Sequence, residues 1–176
     1  MIHNSAAATL ACGIRESAPL LLRFLAGFDE NNRTAQGGTC PNHPVWILGH
    51  CAFTMARFGQ IIGGPAPRED DFSTTDCGAE STRYEIDSIA KDSQPVDDPA
   101  RYPTLARGRE IFTNAVEQLA CTLEALPANR LTASIDWNGT QQRIDQMAIR
   151  LCFHNGMHAG QLTDLRRALK FKRVLP

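Results

Sequence analysis

The 176-residue sequence predicts an all-α protein, a four-helix bundle with one long crossover between its second and third helices. Three observations carry that expectation. Four separate stretches repeat apolar residues at steps of three and four, the period of a helix with one buried face. Glycine and proline punctuation separates them. The one long stretch without that period, residues 63–103, is rich in proline and acid and reads as a connection over the surface.

The first helix spans about residues 5–28, with Leu10, Ile14, Ala18, Leu21, Leu25 and Phe28 on one face. Pro19 lies inside it and predicts a kink or a late start. The second helix begins after Asn42, a good capping residue, with Pro44 in its first turn. It ends at Gly63-Gly64-Pro65. The connection between these two is short for a bundle of this size, which predicts antiparallel neighbours.

Residues 63–103 carry ten acidic side chains between Glu69 and Asp98 against Arg83 and Lys91, the pattern of a solvated crossover with a short helix near 84–91. A connection this long lets the second and third helices run parallel. The third helix covers about 104–126, along Leu105, Phe112, Ala115, Leu119, Leu123 and Leu126, and stops before Pro127. Leu131 to Trp137 followed by Asn138-Gly139 predicts a small hairpin, because Asn-Gly suits a type I′ turn. The fourth helix, about 144–171, has the cleanest stripe: Met147, Leu151, His154, His158, Leu162, Leu165 and Leu169. No repeat or boundary interrupts the chain, so residues 1–176 read as one domain.

Composition narrows the function. With 43% hydrophobic and 21% charged residues the chain can bury a core without disulfides. A net charge of -1 gives no pull toward nucleic acid or anionic membrane. No run approaches a membrane span, and no leader pattern opens the chain, so a cytoplasmic location is expected. Cysteines 12, 40, 51, 77, 121 and 152 form no CxxC pair and read as free thiols. The basic group Arg166, Arg167, Lys170, Lys172 and Arg173 complements a helix C-terminal dipole.

The chemistry sits in the histidines. His154 and His158 are four apart, one turn above each other on the face that must turn inward. Two adjacent core imidazoles need partners for their ring nitrogens, and a shared metal ion supplies one to both. The third ligand should come from another helix; His50 lies mid-arc among Trp46, Ile47, Phe53 and Ile61. Three nitrogens leave a coordination position open, as catalytic sites do. Zinc, nickel and ferrous iron all accept such ligands. His3 lies in a terminus and His43 at a helix start on the rim, so neither is a candidate. The competing reading makes all three histidines hydrogen-bonded core structure with no metal.

Other residues are bounded by the same pattern. The zincin motif fails, because Asn155 stands where its glutamate belongs. Cys51 and Cys152 turn away from the ligand face and read as buried small hydrophobes. Arg57, two turns beyond His50, either anchors an anionic substrate group or snorkels to a bundle end or carboxylate. Gln161 is a candidate to orient His158, or a polar group at the core edge. Gly156 and Gly160 imply close helix packing or access to the metal.

The segments 42–50 (Asn-His-Pro-Val-Trp-Ile-Leu-Gly-His) and 154–162 (His-Asn-Gly-Met-His-Ala-Gly-Gln-Leu) together resemble the DinB-like superfamily, the DinB/YfiT-like metalloenzymes. Tyr102-Pro103 and Leu165-Arg166-Arg167 add to the likeness. The resemblance implies a four-helix bundle with a long crossover, frequent homodimerisation, and a metal on His50, His154 and His158. It also implies a small-molecule substrate, with a low-molecular-weight thiol as cosubstrate in the S-transferase members. The chain departs from the pattern in its long acidic crossover and in ending Phe171-Lys172-Arg173-Val174 where a glycine often stands, which leaves the substrate open. Two functional classes remain: a metal-dependent transferase or hydrolase, and a non-catalytic metal-binding or stress-response bundle.

Overall fold

The computed structural model describes residues 5–38, 40–75 and 81–175, so His3 and Cys77 lie outside the described residues. Four long helices form the bundle: α1 (Ser5–Phe24), α2 (Pro44–Ile61), α4 (Leu105–Ala125) and α5 (Ile144–Ala168). The short α3 (Ile86–Ile89) lies in the crossover, after a two-residue parallel pair of β1 (Phe72–Ser73) with β2 (Tyr84–Glu85). β3 (Ser134–Trp137) and β4 (Thr140–Arg143) form the expected antiparallel hairpin, with Asn138 and Gly139 both at positive φ, 54° and 78°.

α1 packs on α4 and α5, and α2 packs on α4; α2 and α5 meet along a sparser seam, while α1 with α2 and α4 with α5 scarcely touch. Around the bundle the order is therefore α2, α4, α1, α5. The expectation that the first two helices are neighbours is corrected: they sit across the diagonal. Residues 25–43 are long enough to cross the bundle end, and Val45 N–H donates to the Arg33 carbonyl on the way. Directions hold as expected. Arg15 meets Glu117 and Glu124 while Arg109 reaches the Leu25 carbonyl, so α1 and α4 are antiparallel. Leu119 faces Gly59 and Gly108 faces Val45 and Leu48, so α2 and α4 run parallel.

Several ends differ from the pattern. α1 continues through Pro19 but stops at Phe24, four residues early, because Gly27 turns at a φ of +88°. Arg166 is buried and donates to the carbonyls of Phe24, Ala26 and Lys172. That basic residue thus satisfies the end of α1 as well as the end of its own helix. α2 is capped by His43, not Asn42: His43 Nδ1 accepts from Trp46 N–H at 3.2 Å, and the ring is fully buried against Tyr102. His43 is core, not rim.

The crossover is less solvated than its charge predicts. It buries Phe72, Tyr84 and Ile89, and Asp71 is held by Arg107 at 2.6 Å. Tyr84 fills a slot between α2 and α4 where a Cβ on Gly49 would come within 2.5 Å of its ring and one on Gly108 within 2.6 Å of its hydroxyl. The hydroxyl donates to the Val45 carbonyl at 2.8 Å. Two glycines thus admit one aromatic ring that pins the crossover to the bundle. No helix among the described residues is long and apolar enough to cross a membrane.

Candidate metal centre and adjoining cavity

The seam between α2 and α5 holds the three histidines. α2 presents His50 and α5 presents His154 and His158, and one ligand nitrogen from each lies within 4.8 Å of the others. The Nε2 atoms of His50 and His154 are 3.1 Å apart, and those of His154 and His158 are 3.2 Å apart. Nitrogens about 2.0–2.1 Å from a common ion stand roughly 3.3 Å apart in a tetrahedron and about 2.9 Å apart at right angles. The observed separations fall between those limits.

Hydrogen bonds on the outer side set the tautomers. His50 Nδ1–H donates to the Ile89 carbonyl at 2.7 Å, and His158 Nδ1–H donates to Gln161 Oε1 at 2.8 Å. Asn42 donates its amide to the same Oε1 at 3.0 Å, which fixes which end of Gln161 faces the ring. In the neutral imidazole each of these rings then carries a bare lone pair on Nε2. Both lone pairs point at His154 Nε2, which can donate to only one of them. His154 Nδ1 is itself buried without a hydrogen-bond partner. Three nitrogens crowded this way leave at least one lone pair with no proton to accept, unless a cation sits among them. The donor set therefore fits a metal ion, and His50, His154 and His158 could hold one.

Electrostatics agree. Burial, then the neighbouring His158 and His50 and the Arg150 cation, pushes His154 down to about 3. Burial and His50 push His158 down to about 4, and burial lowers His50 as well. All three are unprotonated at neutral pH, the form that ligates. Trp46 stacks on His50 with ring centroids 4.6 Å apart and planes within 8°, and its Nε1–H is anchored on the Ser88 carbonyl. The crossover therefore braces the site twice, through Ile89 and through Ser88.

A cavity of about 300 Å³ opens beside the cluster, with His50 and His154 in its wall. Phe53, Met147 and Leu151 give it apolar sides; Arg57, Lys91 and Arg150 bring positive charge. The Arg57 guanidinium lies over Trp137, 5.1 Å from the ring centroid, and Arg57 is exposed. It neither sits in the core nor pairs with a carboxylate among the described residues.

Other expectations are redistributed. Cys51 is fully buried as predicted, and burial raises its thiol above the usual range. Cys152 is only half-buried, its Sγ directed at the Ala148 carbonyl. A Cβ on Gly156 or Gly160 would meet nothing within 4 Å, so neither glycine serves packing inside this chain. Sequence reasoning missed the Ile89 carbonyl, Trp137 and Arg150. Arg150 carried a signal, being one turn before His154 on the same helix; the other two come from the short crossover helix and the hairpin, whose seating on the bundle no periodicity gives.

The profile of the DinB superfamily matches residues 14–162, and the chain belongs to that superfamily. A crystal structure described as the conserved protein of locus from Enterococcus faecalis is similar in fold. It has a TM-score of 0.62 at 12% identity, covering 92% of this chain and 95% of that one. No curated protein matches.

Proposed function

We propose that the protein is a divalent-metal-dependent enzyme in which His50, His154 and His158 hold zinc, nickel or iron and the adjoining cavity holds a small-molecule substrate. The observation that carries this reading is the convergence of three Nε2 atoms whose outer nitrogens are committed elsewhere or left without a partner. Such an ion would lower the pKa of a bound thiol or water and so supply a nucleophile at neutral pH.

The chain's own residues favour a thiol over water. No carboxylate lines the cavity among the described residues, so a bound nucleophile would be activated by the ion rather than by a carboxylate base there. A thiol, far more acidic than water before binding, is activated in this way more readily. Gln161 and Ile89 hold two imidazole rings in the ligating tautomer, Trp46 excludes water from one flank, and Phe53, Met147 and Leu151 hold an apolar part of the substrate. Transfer of a low-molecular-weight thiol to a small electrophile fits these roles and the superfamily.

The test is turnover of an electrophilic substrate with a thiol cosubstrate by metal-loaded protein. Activity that falls to background in His50→Ala, with the helical content retained, is the expected result. Metal bound stoichiometrically with no thiol-dependent turnover would favour the non-catalytic metal-binding bundle.

A further inference from the structure

We infer that the cavity beside the imidazole cluster selects small anionic molecules, with Arg57 and Arg150 reading the negative group while the rest of the molecule points toward His50 and His154. The chemistry done on such a molecule rests on the metal-enzyme reading above; its charge preference does not.

Arg15, Arg107 and Arg143 each hold a carboxylate within 2.7 Å. Arg57 and Arg150 have no carboxylate partner among the described residues, yet both line one cavity that contains no acidic wall. Lys91 adds a third cation at the same opening, near its own neighbour Asp92. Concave walls of one sign with low-dielectric sides concentrate the field on whatever enters.

Geometry suits a ligand with its charge at one end. The Arg57 guanidinium lies over the Trp137 ring, 5.1 Å from its centroid, and no carboxylate among the described residues takes its N–H groups, which leaves donors for an acceptor in the cavity. Arg150 is one turn before His154, about 6 Å along α5; Arg57 is two turns past His50, about 10 Å along α2. Because α2 and α5 run antiparallel here, with Asn42 against Gln161 and His50 against His154, both arginines lie toward the same end of the cavity. Between that end and the imidazoles the walls are Phe53 and Leu151, with Met147 level with Arg57. A molecule with an anionic head, a short apolar middle and a reactive atom beyond it matches that order. The volume of about 300 Å³ is at the small end of the range for ligand sites, ~300–1,000 Å³.

The test titrates succinate and its neutral diamide, succinamide, into zinc-treated and metal-free protein, read by the fluorescence of Trp137 and Trp46. Succinate is expected to bind at least about tenfold more tightly than succinamide in both preparations, with an advantage that shrinks as salt rises. Arg57→Gln and Arg150→Gln should each cut that advantage about fivefold, and the double variant should nearly abolish it. Arg167→Gln, roughly 25 Å further along α5, should change nothing. Equal affinity for the two probes, or a succinate preference untouched in the double variant, overturns the inference. A preference seen only with zinc and surviving the double substitution would place the carboxylate on the ion, which also overturns it but leaves the metal reading standing. A preference that depends on the arginines in protein unable to bind zinc upholds the inference and sinks the metal reading.

Discussion

Gln161 Oε1 accepts hydrogen bonds from His158 Nδ1–H at 2.8 Å and from Asn42 Nδ2 at 3.0 Å, so one amide oxygen links the start of α2 to an imidazole of the cluster on α5. A ring oriented in this way binds metal more tightly because its tautomer and angle are set in advance. Gln161→Leu should weaken zinc affinity about 10- to 100-fold, measured by competition with a chelating dye, without loss of helical content. Gln161→Glu keeps the acceptor and should retain wild-type affinity or exceed it. Equal weakening in both variants would show that the oxygen has no such role.

Tyr84 connects the crossover to the same site. Its ring occupies the space a Cβ on Gly49 would need, at 2.5 Å, and neither a buried aromatic ring nor a helix backbone gives way cheaply. Gly49→Ala should cost about 1–3 kcal/mol or more, lowering Tm by roughly 5–10 °C for a chain of this size. Because the Ile89 carbonyl follows from the same segment, zinc affinity should fall too. Thermal melts of the metal-free variant together with zinc titration check both effects.

The metal-free protein should lose stability in mild acid. Burial holds His43 down to about 4, whereas in the unfolded chain it titrates near 6.5. Between those values the unfolded state takes up the proton and the folded state does not. Stability is therefore complete above pH 6.5 and falls as pH drops toward 4. His43 alone accounts for on the order of 3 kcal/mol, at about 1.4 kcal/mol per tenfold change in proton affinity. Urea unfolding of chelator-treated protein between pH 7.5 and 4.5 should show the slope, and His43→Asn, which can still cap α2, should reduce it by His43's share while the part due to His50, His154 and His158 remains.

Gly156 and Gly160 lie inside α5 facing open space. Alanine at either position should raise stability by about 0.5–1 kcal/mol through helix propensity alone. Denaturation midpoints of the two single variants decide this. A loss of stability in either would mean that something packs on that face.

The three-histidine cluster was legible because His50, His154 and His158 share the period of the apolar stripes, and a helix converts that period directly into a face. The four helices were legible for the same reason. Periodicity carries no information on which helix packs beside which, so the diagonal relation of α1 and α2 was not foreseen. Nor does it reach groups fixed by loops: the Ile89 carbonyl, the Ser88 carbonyl under Trp46 and the Trp137 platform depend on where the crossover and hairpin fold back. His43 was misplaced because a histidine before Pro44 looks like surface punctuation, whereas Tyr102 arrives from the crossover to cover it. Arg57 shows the limit from the other side. Its register two turns past His50 was read correctly, but the side chain is exposed rather than on the buried arc, and its partner is a tryptophan some eighty residues away.

If one ion joins α2 to α5, anomalous scattering from crystals of zinc-loaded protein, prepared without a histidine tag, will locate it. One strong peak is expected about 2.0–2.1 Å from Nε2 of His50, His154 and His158, and it should be absent in the His154→Ala variant. A peak elsewhere, or none with the three imidazoles still packed ring to ring, would rule out the shared ion.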